Sequence, residues 1–118
     1  MLIGASEGQG WRYEVIERPD DYLVRMRDLD MGALEESDGK LFRTAAVAFA
    51  YAELSAAFDR YAAARMAGEG TAELERTLAA QRALYEDISA RLGDEGMSAQ
   101  MLVAWEHWAA AANRRRLH

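Results

Sequence analysis

LFRTAAVAFAYAELSAAFDRYAAARMA, residues 41–67, is the stretch on which the fold turns. It contains no Gly or Pro, carries 11 alanines from Ala45 onward, and sets Val47, Tyr51, Leu54, Phe58 and Tyr61 at offsets of 4, 3, 4 and 3. Alanine is the best helix former, and that spacing places the five larger side chains on one stripe, so the pattern predicts a helix over 41–67 with a packing seam. Phe42 and Phe49 fall about 160° from that seam on a helical projection, joined there by Ala45, Ala52, Ala56 and Ala63. A helix apolar on two opposite sides belongs between layers. The cover for its second side is the apolar face of an N-terminal hairpin or a second copy of the chain. If the seam is core, Phe58→Ala should cost about 3–5 kcal/mol.

Downstream, Leu74, Leu78, Gln81, Tyr85, Ile88 and Leu92 share a stripe over 72–92, with Thr71 as N-cap and Gly93 suited to a left-handed C-terminal position. Residues 98–116 align Met101, Trp105, Trp108 and Ala112 in a third helical pattern. The connection Gly68-Glu69-Gly70 is short enough to force antiparallel neighbours, and residues 93–97 are nearly as brief. The expected architecture is therefore mainly α, an up-down-up three-helix bundle.

Upstream, Trp11, Tyr13 and Val15 alternate with Arg12, Glu14 and Ile16, and Tyr22, Val24 and Met26 alternate with Leu23, Arg25 and Arg27. Period two on both sides of Pro19, Asp20 and Asp21 predicts a β-hairpin over 11–27 ahead of the bundle. A helix starting at Asp20 is the competing reading of its second arm. Residues 1–10, with Gly4, Gly8 and Gly10, read as a loose N-terminus, and 28–39 as an acidic connector.

A chain of 118 residues, 51% hydrophobic and 29% charged, is the size of one domain and apolar enough to fold. With no cysteine, disulfides, thiolate nucleophiles and cysteine-ligated metals are excluded. The longest apolar run, Ala45–Ala52, falls far short of the roughly 20 residues that span a bilayer, and Met1-Leu2-Ile3 lacks the form of a signal peptide. The expectation is a cytoplasmic protein without membrane association. One lysine against 13 arginines suits a GC-rich bacterial genome. The net charge of −6 resides wholly in residues 1–39, since 40–118 balance ten acids with ten bases. Such a molecule is repelled by phosphate backbones, which argues against nucleic acid and favours a basic partner.

Chemistry-bearing motifs are sparse. His107 points away from the Trp105 and Trp108 stripe and has no acid or second His at i±3 or i±4, as a surface side chain would. Asp28, Asp30 and Gly32 begin like a calcium loop, but Ala33 and Gly39 stand where that loop needs Gly and Glu. Glu53, on the second apolar side of the long helix, calls for an arginine such as Arg25, Arg27 or Arg43. Arg114, Arg115 and Arg116 suit the end of a helix. No phosphate-binding loop and no Glu-x-x-His pair occurs. Neither a metal nor a cofactor is expected, and no catalytic set is assigned.

Three function classes follow. The first is a non-catalytic interaction or regulatory protein that binds a protein partner, or its own second copy, through Trp11, Tyr13 and Tyr22, with Glu35, Glu36 and Asp38 as acidic flank. The second is a bundle that takes a small apolar ligand along a seam of Tyr51, Tyr61, Tyr85 and Trp105. The third, with least to support it, is an enzyme or enzyme subunit using Glu53, Asp59 or His107.

Overall fold

The computed structural model describes residues 1–98, with the backbone alone for residues 35–38. The chain order is β1 (Leu2–Glu7), β2 (Trp11–Glu17), β3 (Tyr22–Asp28), β4 (Leu34–Phe42), α1 (Ala45–Met66), α2 (Ala72–Leu92) and β5 (Met97–Ser98). All five strands form one antiparallel sheet in the order β1-β2-β3-β4-β5. This overturns the three-helix bundle: among the described residues a five-stranded sheet and two helices take its place, and the pattern over 99–116 lies outside them.

Two segments account for the difference. Residues 1–10, expected loose, supply β1, and two of their glycines, Gly4 and Gly8, are there for close approach. A Cβ on Gly4 would lie 3.0 Å from Cζ of Phe49, and one on Gly8 would lie 2.8 Å from Cβ of Asp59, so α1 can rest against β1 and the turn that follows it only where these two positions lack side chains. Residues 28–39, expected as a connector, form a tight turn and then β4. In the turn Asp28 Oδ1 accepts from the amides of Asp30 (2.8 Å) and Met31 (3.2 Å), and Gly32 adopts φ +69°. β4 begins opposite Arg27 at Leu34, bulges between the partners of Met26 and Val24, and ends with Leu41 and Phe42 opposite Leu23 and Tyr22. Leu41 and Phe42 are thus strand residues, and the helix starts only at Ala45.

α1 lies between the sheet and α2. Its sheet-facing side is the alanine row Ala48, Ala52 and Ala56, fully buried with Val47 against Tyr13, Val15, Val24 and Phe42. Small side chains let the helix axis come close to the strands, and the larger β-branched residues of the sheet fill the gap. The seam read from 41–67 divides in consequence. Val47 is buried, Tyr51 and Leu54 are half-buried, and Phe58 is 54% exposed, so Phe58 is no core residue. α2 ends with Gly93 at φ 60°, ψ 35°, and the turn between the helices places Gly68 at φ +72°.

Buried Asp94 ties the layers together. Its Oδ2 accepts from the amides of Arg43 and Thr44 (both 3.0 Å) and from Thr44 Oγ1 (2.9 Å), while Ser89 Oγ donates to its carbonyl (2.7 Å). Thr44 does not cap α1 with its own side chain and the first turn holds no acid, so this carboxylate supplies both the acceptor and the negative charge that a helix start needs. At the far end Asp59 Oδ2 accepts from the amides of Gly10 (3.0 Å) and Trp11 (3.1 Å), fastening α1 to the β1–β2 turn.

Candidate functional site

Strand alternation aims Tyr13 and Met26, opposite one another on β2 and β3, at the helical side of the sheet. They form the floor of a groove of about 480 Å³, walled by Tyr51, Leu54, Ser55 and Phe58 of α1 and by Leu78 and Arg82 of α2. Offsets of three and four on α1, and of four on α2, turn these side chains toward one channel. The groove is open to solvent along Phe58, and Arg82 supplies its cation.

One end of the groove is aromatic. The Phe42 and Tyr51 rings lie 5.2 Å apart, Tyr51 and Tyr85 5.7 Å, and Phe42 and Tyr85 6.4 Å, with Lys40 Nζ 5.0 Å from the Tyr51 centroid. Burial first, then the charge of Asp59 and the neighbouring Tyr51, pushes the Tyr13 hydroxyl up to about 12. Tyr85 is raised in the same sense by burial, then Tyr51, Asp94 and Glu95. Both phenols therefore stay protonated at neutral pH and offer hydrogen-bond donors and π faces.

The residues singled out in the sequence are distributed unevenly about this groove. Tyr13, from the partner-binding set, and Tyr51, from the ligand seam, line it together, with Tyr85 against Tyr51. Trp11 and Tyr22 pack, half-buried, on the core. Tyr61 stands apart, its hydroxyl accepting from Arg65 Nη1 at 3.0 Å. Glu35, Glu36 and Asp38 belong to β4, where the backbone alone is described. Trp105, His107 and Arg114–Arg116 lie outside the described residues. Glu53 takes a hydrogen bond from Ser6 Oγ (3.0 Å) rather than from an arginine, and Asp59 holds the β1–β2 turn. Met26, Leu78, Arg82 and Lys40 were missed as site residues. Met26 carried a usable signal, since hairpin pairing sets it opposite Tyr13.

Of the three arginines proposed for Glu53, Arg43 donates to the Gly93 carbonyl, and Arg25 and Arg27 serve Glu14 instead, on the face of the sheet away from the helices. Arg25 Nε (2.8 Å) and Arg27 Nε (3.1 Å) donate to its carboxylate, and Arg12 Nε stands 3.7 Å away. Burial raises the Glu14 carboxyl, but the hydrogen bonds from Arg27 and Arg25 outweigh it and hold the group below the ordinary carboxylate range. Among the described residues no three His, Asp or Glu side chains are grouped to hold a metal ion, and no helix is long and apolar enough to cross a membrane. No known protein family, no curated protein and no solved structure matches this chain.

Proposed function

We propose that this protein is a non-catalytic interaction module whose groove between the sheet and the two helices receives an apolar segment of a protein partner. The observation that carries the reading is Phe58, 54% exposed on the lip of a channel whose apolar and aromatic lining is Tyr13, Met26, Tyr51, Leu54 and Leu78, with Ser55 and Arg82 beside them. Tyrosine, phenylalanine, methionine and arginine are the side chains enriched at protein interfaces, and methionine adapts to the shape of what it meets. The negative charge concentrated in residues 1–39 asks for basic flanks on the partner, and Asp28 and Asp30 stand in the turn just beyond Met26. The partner is then a segment with an apolar anchor and a basic end.

A photo-reactive benzoylphenylalanine at position 58, in the native host, tests this directly. The expected result is one heteromeric adduct that maps to an apolar segment with basic flanks and disappears when Leu54→Asp is added. Adducts only between copies of the chain, or an adduct indifferent to Leu54→Asp, would refute it. A groove of about 480 Å³ also lies within the roughly 300–1,000 Å³ range of small-molecule sites, and Arg82 suits an apolar carboxylate. Saturable binding of a medium-chain fatty acid, abolished by Leu54→Asp and accompanied by no protein adduct, would favour that second reading.

A further inference from the structure

The two ends of the groove differ in charge. α1 meets β1 at Gly4 through Phe49 and the following turn at Gly8 through Asp59. Those stretches cover about 15 Å of helix and about 13 Å of strand, so α1 and the strands run nearly side by side and levels on one can be read on the other. At one end stand cations. Arg82 lines the groove one turn from Tyr85, whose ring lies 5.7 Å from Tyr51, and Lys40 holds its ammonium 5.0 Å from the Tyr51 centroid. At the other end stand carboxylates: Asp59 on the β1–β2 turn, Asp28 opposite Trp11, and Asp30 in the turn that follows.

Between these ends the floor carries an unsatisfied donor. Tyr13 is 8% exposed and lines the groove, and its hydroxyl makes no hydrogen bond to the described residues. The Arg82 guanidinium makes none to them either, and Ser55 adds a hydroxyl to the same wall. A buried donor without an acceptor is costly, and a ligand that brings the acceptor removes the cost. Donors beside the apolar side chains of Met26, Leu54 and Leu78 ask for a carboxylate joined closely to an apolar group. In a protein both belong to one residue at the C-terminus, and capture of that carboxylate is a recurring mode of peptide recognition.

We infer that the segment received by the groove is the C-terminus of its protein partner, with the terminal carboxylate on Arg82 and Tyr13, the last apolar side chain among Met26, Leu54 and Leu78, and basic side chains roughly four extended residues upstream at Asp28 and Asp30. The inference rests on the proposed function, since it names which part of the partner enters. The spacing follows from one helical turn between Arg82 and Leu78, about 6 Å, and two strand residues between Met26 and Asp28, about 7 Å.

Fluorescence anisotropy with the full-length protein tests it. The probes are short fluorescein-labelled Gly/Ser peptides ending in Leu, Phe, Met or Ala, with a lysine pair at varied distance upstream, each made with a free C-terminal carboxylate and again as the amide. The expected result is saturable binding of carboxylate peptides ending in Leu or Phe, weaker by about tenfold or more for their amides. Arg82→Gln and Tyr13→Phe should each narrow that ratio while amide binding stays the same, and Asp30→Asn should narrow the preference for lysine. Equal binding of carboxylate and amide, a ratio unmoved by Arg82→Gln and Tyr13→Phe, or binding of no peptide would overturn the inference. The photo-adduct at position 58 separates the two readings: an adduct on an internal segment keeps the proposed function and overturns the C-terminal one, whereas a bound fatty acid without any protein adduct removes both.

Discussion

Removing the carboxylate of Asp94 should cost more than any comparable change in a loop. Asp94 is 2% exposed, and one of its oxygens accepts three hydrogen bonds, two from the backbone just ahead of α1 and one from Thr44 Oγ1. A hydrogen bond to a charged group contributes about 1.5–3 kcal/mol, but the three share one acceptor, and water entering the vacated space recovers part of the loss. An N-cap replaced by alanine costs up to about 2 kcal/mol on its own. Adding the orphaned Thr44 hydroxyl brings Asp94→Ala to about 3–4 kcal/mol. For a chain of this size that corresponds to a fall in Tm of roughly 10–20 °C. Asp94→Asn keeps an acceptor and loses only the charge, so it should cost about 1–2 kcal/mol. Thermal and urea unfolding followed by circular dichroism measures both. A Tm within about 4 °C of the parent for Asp94→Ala, or an Asn variant as unstable as the Ala variant, would show that the carboxylate does not hold the start of α1.

Glu14→Gln should destabilise the protein by about 1–3 kcal/mol at pH 7, a figure kept low because the arginines around it are partly exposed. Because the folded-state pKa of Glu14 is lowered, its contribution is fully present above the unfolded value of about 4.3 and is lost as pH falls through the folded value, so urea titrations of parent and variant should converge as pH falls below the ordinary carboxylate range. Phe58→Ala should change stability by less than about 1 kcal/mol, while Phe42→Ala, at 1% exposure, should cost about 3–5 kcal/mol; equal losses in calorimetry would put Phe58 back in the core. Gly8→Ala should cost about 1–3 kcal/mol by forcing Asp59 off the β1–β2 turn, and Gly10→Ala, with open space around it, should stay within about 0.5 kcal/mol; a Gly8→Ala protein as stable as the parent would mean that α1 does not need a bare position in that turn.

How far the sequence could be read depended on where each element found its partner. β2 and β3 carry their own evidence, because two alternating arms joined by Pro19, Asp20 and Asp21 pair with each other. α2 is legible at both ends, with Thr71 before it and Gly93 in the left-handed region after it. β4 could not be found that way: LEESDGKLF has neither alternation nor a strong strand propensity, and its pairing is supplied by β3 and accommodated by a bulge. β1 was obscured because Gly4 and Gly8 look like punctuation when read alone, whereas their bareness answers Phe49 and Asp59 on a helix more than forty residues away. In α1 the periodicity grouped the right residues, but large side chains were taken for the core when the closest packing is made by Ala48, Ala52 and Ala56. The groove was half visible for the same reason: Tyr51 and Tyr85 share their setting with Phe42, and only the register of the sheet brings Tyr13 and Met26 beneath α1.

The return of the chain to β4 gives the helices an unusual status. Residues 43–96 leave the sheet at Phe42 and come back beside it at Met97, with Asp94 joining departure and return. Topologically the two helices are an enlarged bend in the β4–β5 hairpin of a meander. Since the entropy of closing such a loop rises only with the logarithm of its length, its cost is small beside what the packing of α1 on the sheet, the β4–β5 pairing and the clasps at Asp94 and Asp59 contribute. Turns could be added to or trimmed from the distal tip around Gly68 without shifting any strand, so evolution or an engineer can alter the reach of this arm while the platform beneath it stays the same.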